Sequence, residues 1–377
     1  MILNDQEFKK LLTKFKYVGV NALVCDKDEI KYLFSDGYLD LDGRMLDYDT
    51  IFRIASVSKI EVALSIMKLK ELGKLDIYDD VSKYLGFKLR NPLYPDDIIT
   101  LEHIMTQTSS ISDAEDGVAG YDAVNCHSKD VNLEKMFNDP EYIYHTDRMF
   151  NNHRPGEYWQ YSNFGCGILA CVVEKVSGEY FTDFVRKHIF LPLGLDASYR
   201  VEDIIHQDRI ASLYDYDEKK GEFIKERDQA LFTKYMFPRY ELGNNFRGPA
   251  GGLFISIKDL SIIQRMLMNK GTYKGIKILE KSTIEEMERV HWQGISYDPN
   301  YRAKGLQLNL VDGFSKERLI GHTGSAYGLR STFFYNNHYG YIVISNGGNY
   351  NHYANHMTIF QEDTLNYLIR KFEENGN

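Results

Sequence analysis

Ser56 and Lys59 stand three residues apart in the stretch Ile51-Phe-Arg-Ile-Ala-Ser-Val-Ser-Lys-Ile60. On a helical run that spacing puts both side chains on one face. Ser56 is predicted in the first turn, where free backbone N–H groups and the positive end of the helix dipole favour developing negative charge. Lys59 is predicted beside it, its amine among Ile54, Ala55, Ile60 and Val62. Partial desolvation there lowers a lysine pKa from its usual value of about 10.4 and brings the neutral amine within reach. A neutral amine beside a hydroxyl is an activated nucleophile. Ser65 and Lys68 share the spacing. Ser65 falls in mid-helix, where no N–H is free, and reads as structural.

Two further clusters could complete such a site. Tyr161-Ser-Asn163 follows a Pro155-Gly156 turn and precedes a helical run, so Tyr161 and Asn163 are expected on the loop entering that helix. A tyrosine hydroxyl near a cation can act as a general base, and an asparagine amide can orient a carbonyl or the lysine. The pattern is weak by itself, because Tyr335-Asn-Asn337 and Tyr353-Ala-Asn355 also match it. His322-Thr-Gly-Ser325 lies on a strand-like run and occurs once. A glycine there lets a ligand lie against the backbone, and a strand edge offers N–H groups to an oxyanion.

Other polar residues have blander readings. Asp113, Glu115 and Asp116 read as a solvated acidic face. His352 and His356 are four apart but lack an acidic third ligand, so no metal site is expected there. Cys166 and Cys171 lie on an apolar helical run and read as packing residues.

Composition sets the outer bounds. A chain of 377 residues, 43% hydrophobic and 26% charged, can bury a large core as one two-lobed unit or two domains. A net charge of −9 argues against a nucleic-acid partner. The cysteines, Cys25, Cys126, Cys166 and Cys171, show neither Cys-x-x-Cys pairing nor zinc spacing. The first ten residues have no continuous apolar core, and no apolar run approaches the roughly 20 residues of a bilayer span. The expectation is a soluble cytoplasmic protein without a membrane span or a cofactor, acting on a small-molecule or peptide substrate. Its oligomeric state is open.

Periodicity places the elements that would carry these residues. Val18 to Phe34 reads as a hairpin turning at Asp26–Glu29. Helical periods run from near Ser56 to Gly73, from Phe164 to Gly178, and from Leu260 to about Gly271. Thr100 is a plausible N-cap. Strand-like runs are Gly305 to Val311, Arg318 to Gly321, Leu329 to Tyr335 and Tyr339 to Ser345, with a hairpin turn at 336–340. A last helix is expected over Tyr353 to Phe372. Strands at both ends and helices between them suggest one sheet built from residues 1–76 and 246–377, with a mainly helical region, 77–245, inserted.

Taken in order, the three motifs resemble those of the penicillin-recognising serine hydrolases: class C β-lactamases, D-alanyl-D-alanine carboxypeptidases, and related esterases (family VIII) and peptidases. In that group the S-x-x-K serine is followed by Tyr-x-Asn and then Lys-Thr-Gly; here the third element is His-Thr-Gly. Ile51–Ser56, Gly73–Leu85, Thr100–Ser110, Arg154–Glu157, Ala250–Leu253 and Asp259–Leu260 are similar too, although Gln107 and Ser110 stand where histidine and glycine are common. The resemblance covers roughly residues 18 to 350.

It implies an α+β fold of the β-lactamase/transpeptidase type, an antiparallel sheet flanked by helices beside a mainly helical region, with the site in the cleft. It implies Ser56, Lys59 and Tyr161 as catalytic residues and Asn163, His322, Thr323, Gly324 and Ser325 as substrate-binding ones. The backbone N–H groups of Ser56 and Ser325 would form the oxyanion hole. Whether Lys59 or Tyr161 is the base stays open, since the two are coupled. His322 lacks a permanent charge at neutral pH, which favours a peptidase, amidase or esterase. The alternatives are a β-lactamase, or a penicillin-binding or sensing protein that acylates without efficient turnover.

Overall fold

Alternating apolar residues at both ends of the chain meet in one sheet. The strands, in chain order, are β1 (Gly19–Cys25), β2 (Ile30–Gly37), β3 (Ile51–Arg53), β4 (Leu213–Asp217), β5 (Glu222–Arg227), β6 (Phe254–Ser256), β7 (Thr272–Tyr273), β8 (Ile276–Lys277), β9 (Trp292–Gln293), β10 (Ala303–Lys304), β11 (Asn309–Val311), β12 (Leu319–Ala326), β13 (Leu329–Tyr335) and β14 (Gly340–Ser345). This is a computed structural model that describes residues 5–114, 119–124, 131–228, 239–294, 302–350, 352–354 and 357–374. The main sheet has the order β2-β1-β14-β13-β12-β11-β10-β9, antiparallel throughout. The amino-terminal hairpin thus pairs with the last strand, joining the two ends of the sequence.

Both faces of the central strands are covered, so the strands are buried at nearly every position. Phe334, Tyr341 and Val343 face a cluster with Phe8, Leu12, Phe360 and Leu365, from the helices Gln6–Leu12 and Ile359–Ile369. Their neighbours Phe333, Ile342 and Ile344 face Leu260, Ile263 and Leu267 of the helix Ile257–Met268. The period of two sorts each strand between two cores. Truncating one such buried side chain to alanine costs about 2–5 kcal/mol.

Two expectations change. The closing helix starts at Ile359, while Tyr353–Ala354 and Met357–Thr358 pair as a short ladder. Thr358 and Gln361 form a reciprocal capping box there, and cap chemistry outweighs the apolar run before it. The stretch 77–245 holds helices but also the β4–β5 hairpin, and β4 pairs in parallel with Gly347–Gly348. His352 lies 3.5 Å from Glu218, and His356 falls outside the described residues. Cys25, Cys166 and Cys171 are buried free thiols; Cys126 lies outside the described residues. Among the described residues no helix is long and apolar enough to cross a membrane.

Candidate active site

The turn that presents Ser56 is built by constraint on both sides. β3 pairs with β6, and the Ile54 N–H donates to Leu253 O at 2.9 Å. Ala55 then adopts a left-handed conformation, φ +52°, which costs a non-glycine residue roughly 1–2 kcal/mol. This reverses the chain into a 3₁₀ turn, Ala55–Ser58, and the helix Lys59–Glu71 follows. Ser56 therefore sits in a tight turn just ahead of the α-helix. Ser58 locks that turn: its Oγ donates to Ala55 O (2.6 Å) and accepts from the Leu253 N–H (3.1 Å). Ser65, the competing serine, is buried and donates to Glu61 O at 2.8 Å.

Lys59 is fully buried beneath the turn. Its Nζ lies 3.1 Å from Ser56 Oγ, 2.8 Å from Asn163 Oδ1 and 2.9 Å from Ala250 O. Burial lowers its pKa to about 8, against the opposing pull of Cys166 and Asp113. The Tyr161 hydroxyl donates to Ser56 Oγ at 2.6 Å, and its ring centroid lies 4.7 Å from Lys59 Nζ. Burial raises the Tyr161 pKa well above the usual phenol range, and the bond to Ser56 offsets only part of that. The amine, not the phenol, is the group brought toward neutral pH.

Asp113 corrects the expectation of a solvated acidic face. It is buried, while Glu115 and Asp116 lie outside the described residues. Its Oδ1 accepts from Ser162 Oγ–H (2.8 Å) and the Phe164 N–H (2.8 Å). Its Oδ2 accepts from the Asn163 N–H (3.0 Å) and the Asn163 side-chain amide (2.9 Å). The carboxylate thus satisfies free N–H groups at the start of the helix Asn163–Ser177, where negative charge is favoured. It also fixes the Asn163 amide: Nδ2 faces Asp113, so Oδ1 faces Lys59. Gln107 braces the same loop. Its Oε1 accepts from the Ser162 N–H (2.6 Å) and its backbone oxygen accepts from the Gln160 N–H (2.9 Å).

The third motif forms the opposite wall. β11 pairs with β12 only over Leu319–Gly321, so from His322 onward that edge is left to the Ser56 turn. Gly324 is a spacer: a Cβ there would lie 2.5 Å from Ile54 O and 3.1 Å from the Ser56 nitrogen. Only a glycine lets the strand approach this closely. His322 is buried, its Nδ1–H donating to Thr323 O at 2.6 Å and its ring 6.2 Å from that of Tyr161. A cavity of about 410 Å³ is lined by Ser56, Tyr161, Asn163, His322, Thr323 and Ser325, with Lys59 below its floor. Among the described residues no group of three His, Cys, Asp or Glu could hold a metal ion. All eight residues expected from the motifs converge here. Asp113 and Gln107 join them, although no motif or spacing in the sequence assigns either to the site.

Comparison with known proteins agrees with this geometry. The chain is 30% identical over 190 residues to penicillin-binding protein 4* of Bacillus subtilis, a match covering 50% of this chain and 39% of that one. It is 29% identical over 203 residues to the esterase EstB of Burkholderia gladioli, covering 51% and 49%. The chain thus spans less than half the length of these curated relatives. Among solved structures, the D-amino acid amidase of Ochrobactrum anthropi superposes over 99% of this chain and 98% of its own, with a TM-score of 0.73 and 19% identity. That likeness establishes the α+β fold with its antiparallel sheet. The family model described as "Beta-lactamase" matches residues 4–366. The chain belongs to the beta-lactamase family.

Proposed function

We propose that this protein is a serine hydrolase that cleaves an amide or ester through an acyl-enzyme on Ser56. The observation that carries the reading is the set of partners around Lys59 Nζ. A neutral amine has two N–H groups and one lone pair. Asn163 Oδ1 and Ala250 O can only accept, so they take the two N–H groups. The lone pair is left for the Ser56 hydroxyl, 3.1 Å away. With its pKa near 8, Lys59 is the general base of this scheme. Tyr161, held protonated, is the donor.

The proton passes from Ser56 Oγ to Lys59 as the Oγ–carbon bond forms. The backbone N–H groups of Ser56 and Ser325 receive the oxyanion. As the bond to the leaving group breaks, Tyr161 gives it a proton, and the proton held by Lys59 makes up the loss. Water then repeats the sequence on the ester. Asn163 orients Lys59 and the substrate carbonyl, and His322, Thr323 and Gly324 shape the substrate edge. The cleft, in this reading, lies between the sheet unit of residues 1–76 and 246–377 and the inserted region 77–245. Buried free thiols suit a reducing compartment such as the cytoplasm.

The substrate class is an amide or ester of a small molecule or peptide, as the names of the amidase and the esterase relatives suggest. A second reading, acylation without efficient turnover, is favoured by the similarity to a penicillin-binding protein. A panel of p-nitrophenyl esters, D-amino-acid anilides and a chromogenic cephalosporin separates them. Turnover of an ester or anilide that disappears in Ser56→Ala supports the hydrolase. One equivalent of product followed by a stable adduct supports the second reading.

A further inference from the structure

The cleft around Ser56 is lined by two guanidiniums, Arg53 and Arg247, and among its described lining residues there is no carboxylate. The chain as a whole carries −9, so a cleft of opposite sign is a local construction that draws anions. Arg247 is committed to the fold. Its Nη1 donates to Val124 O at 2.6 Å, and its guanidinium lies 4.8 Å from the Tyr240 ring centroid. Arg53 is different. It is half-buried at the end of β3, three residues before Ser56. Its guanidinium rests 5.0 Å from the Tyr327 ring centroid and has no hydrogen bond or ion pair among the described residues.

Tyr327 is itself unusual. Ala326 pairs with Leu329, which makes Tyr327-Gly328 a two-residue turn between β12 and β13. Both residues are left-handed, at φ +52° and +81°. Such turns favour glycine, asparagine or aspartate, and a bulky residue there is strained. Gly328 presses on β4, since a Cβ on it would lie 1.8 Å from Tyr214 O. The turn is thus fixed in place while the Tyr327 ring lines the cleft. The Tyr327 ring carries two guanidiniums, Arg227 at 4.1 Å and Arg53 at 5.0 Å from its centroid, and of these Arg53 is the one at the cleft that lacks an anion among the described residues, which points to a ligand that supplies one.

The position of Arg53 says which part of the substrate that is. Along β12, His322 lies beside Tyr161, which serves the leaving group in the mechanism above. Ser325, Ala326 and Tyr327 follow in the other direction, toward Arg53. We propose that Arg53, supported by Tyr327, binds a negative charge on the acyl part of the substrate, so that this site prefers amides or esters of an acid bearing a second carboxylate. The inference rests on the serine-hydrolase reading. A planar guanidinium meets a carboxylate through two parallel hydrogen bonds, which suits it to this task. Because the charge lies on the acyl side, the contact persists in the acyl-enzyme.

The test compares two esters with one leaving group and one chain length: the p-nitrophenyl monoester of glutaric acid and p-nitrophenyl valerate. Wild-type kcat/KM should favour the anionic ester by roughly tenfold or more, and added salt should shrink that ratio. Arg53→Ala should bring the ratio to one or below, and Arg53→Glu should reverse it. Labelling of Ser56 by a fluorophosphonate reports that each variant is folded. Arg53→Gln, which keeps the side-chain stem, takes the place of an alanine variant that does not label. A wild type without preference, or a preference that survives in a labelled Arg53 variant, overturns the proposal while leaving the hydrolase reading intact. Undiminished hydrolysis of both esters by Ser56→Ala overturns the hydrolase reading and this proposal with it.

Discussion

Asp113→Asn is the perturbation that separates a positioned site from a set of residues that happen to be close. The carboxylate accepts four hydrogen bonds, two on each oxygen, from Ser162, Phe164 and both nitrogens of Asn163. Asparagine has a single oxygen, so in either orientation two donors meet an NH₂ group. A hydrogen bond to a charged acceptor contributes about 1.5–3 kcal/mol, so two lost bonds cost about 3–6 kcal/mol if nothing moves. Asn163 can recover one bond by turning its amide over. That would place Nδ2 against Lys59 in place of Oδ1, setting donor against donor where the amine is now held at 2.8 Å. The variant should therefore unfold in urea with at least about 3 kcal/mol less stability, or retain some stability and lose the Lys59 alignment. In both cases the second-order rate of fluorophosphonate labelling should fall by about 100-fold, the usual worth of a positioned general base. A variant with an unchanged urea midpoint and an unchanged labelling rate would refute the positioning argument.

Two further predictions follow from buried ionisable groups. Lys59 has a folded-state pKa near 8 against 10.5 for the free side chain, so the folded protein releases its proton first. Labelling should rise as pH increases through about 8, and wild-type stability relative to Lys59→Ala should grow between pH 8 and 10.5, by about 3 kcal/mol in all. A labelling rate flat from pH 6 to 9 would remove Lys59 as the base. Glu61 is buried, with Oε2 unpaired and its pKa raised from 4.5 to about 8. The folded state keeps this proton longer than the unfolded chain, so stability present below pH 4.5 is lost as pH rises toward 8. Glu61→Gln should match the wild type near pH 4.5 and exceed it at pH 8 by about 4 kcal/mol in urea unfolding; equal stabilities at both pH values would contradict this.

How far the site could be read from sequence depended on distance along the chain. Ser56 and Lys59 are neighbours through local geometry, so spacing alone brought them together. Tyr161 and His322 could be joined to them only through the family resemblance, because no periodicity links residues a hundred or more apart. Asp113 has the look of a solvated run in sequence because Glu115 and Asp116 are its neighbours. Its burial arises from the approach of the 108–114 loop to the helix start at Asn163, a tertiary event without local signal. Gln107 stands out in sequence as a departure from the family pattern, but its role as a brace depends on the same approach. The closing helix is legible, and so is its true start, since Thr358 and Gln361 have the spacing of a capping box that the apolar run from Tyr353 obscures. The β4–β5 hairpin was hidden because β5 is largely solvated, and its charges mask the strand pattern.

The central claim is that Ser56 is the nucleophile, and covalent labelling tests it most directly. The protein is incubated with a fluorophosphonate, its intact mass measured, and the adduct located by peptide mapping. The account predicts one adduct per chain, on Ser56, absent in Ser56→Ala. Ser65, with a lysine at the same spacing but a buried hydroxyl bonded to Glu61 O, is the internal control and stays unlabelled. An adduct on any other residue, or labelling that survives in Ser56→Ala, would contradict the account.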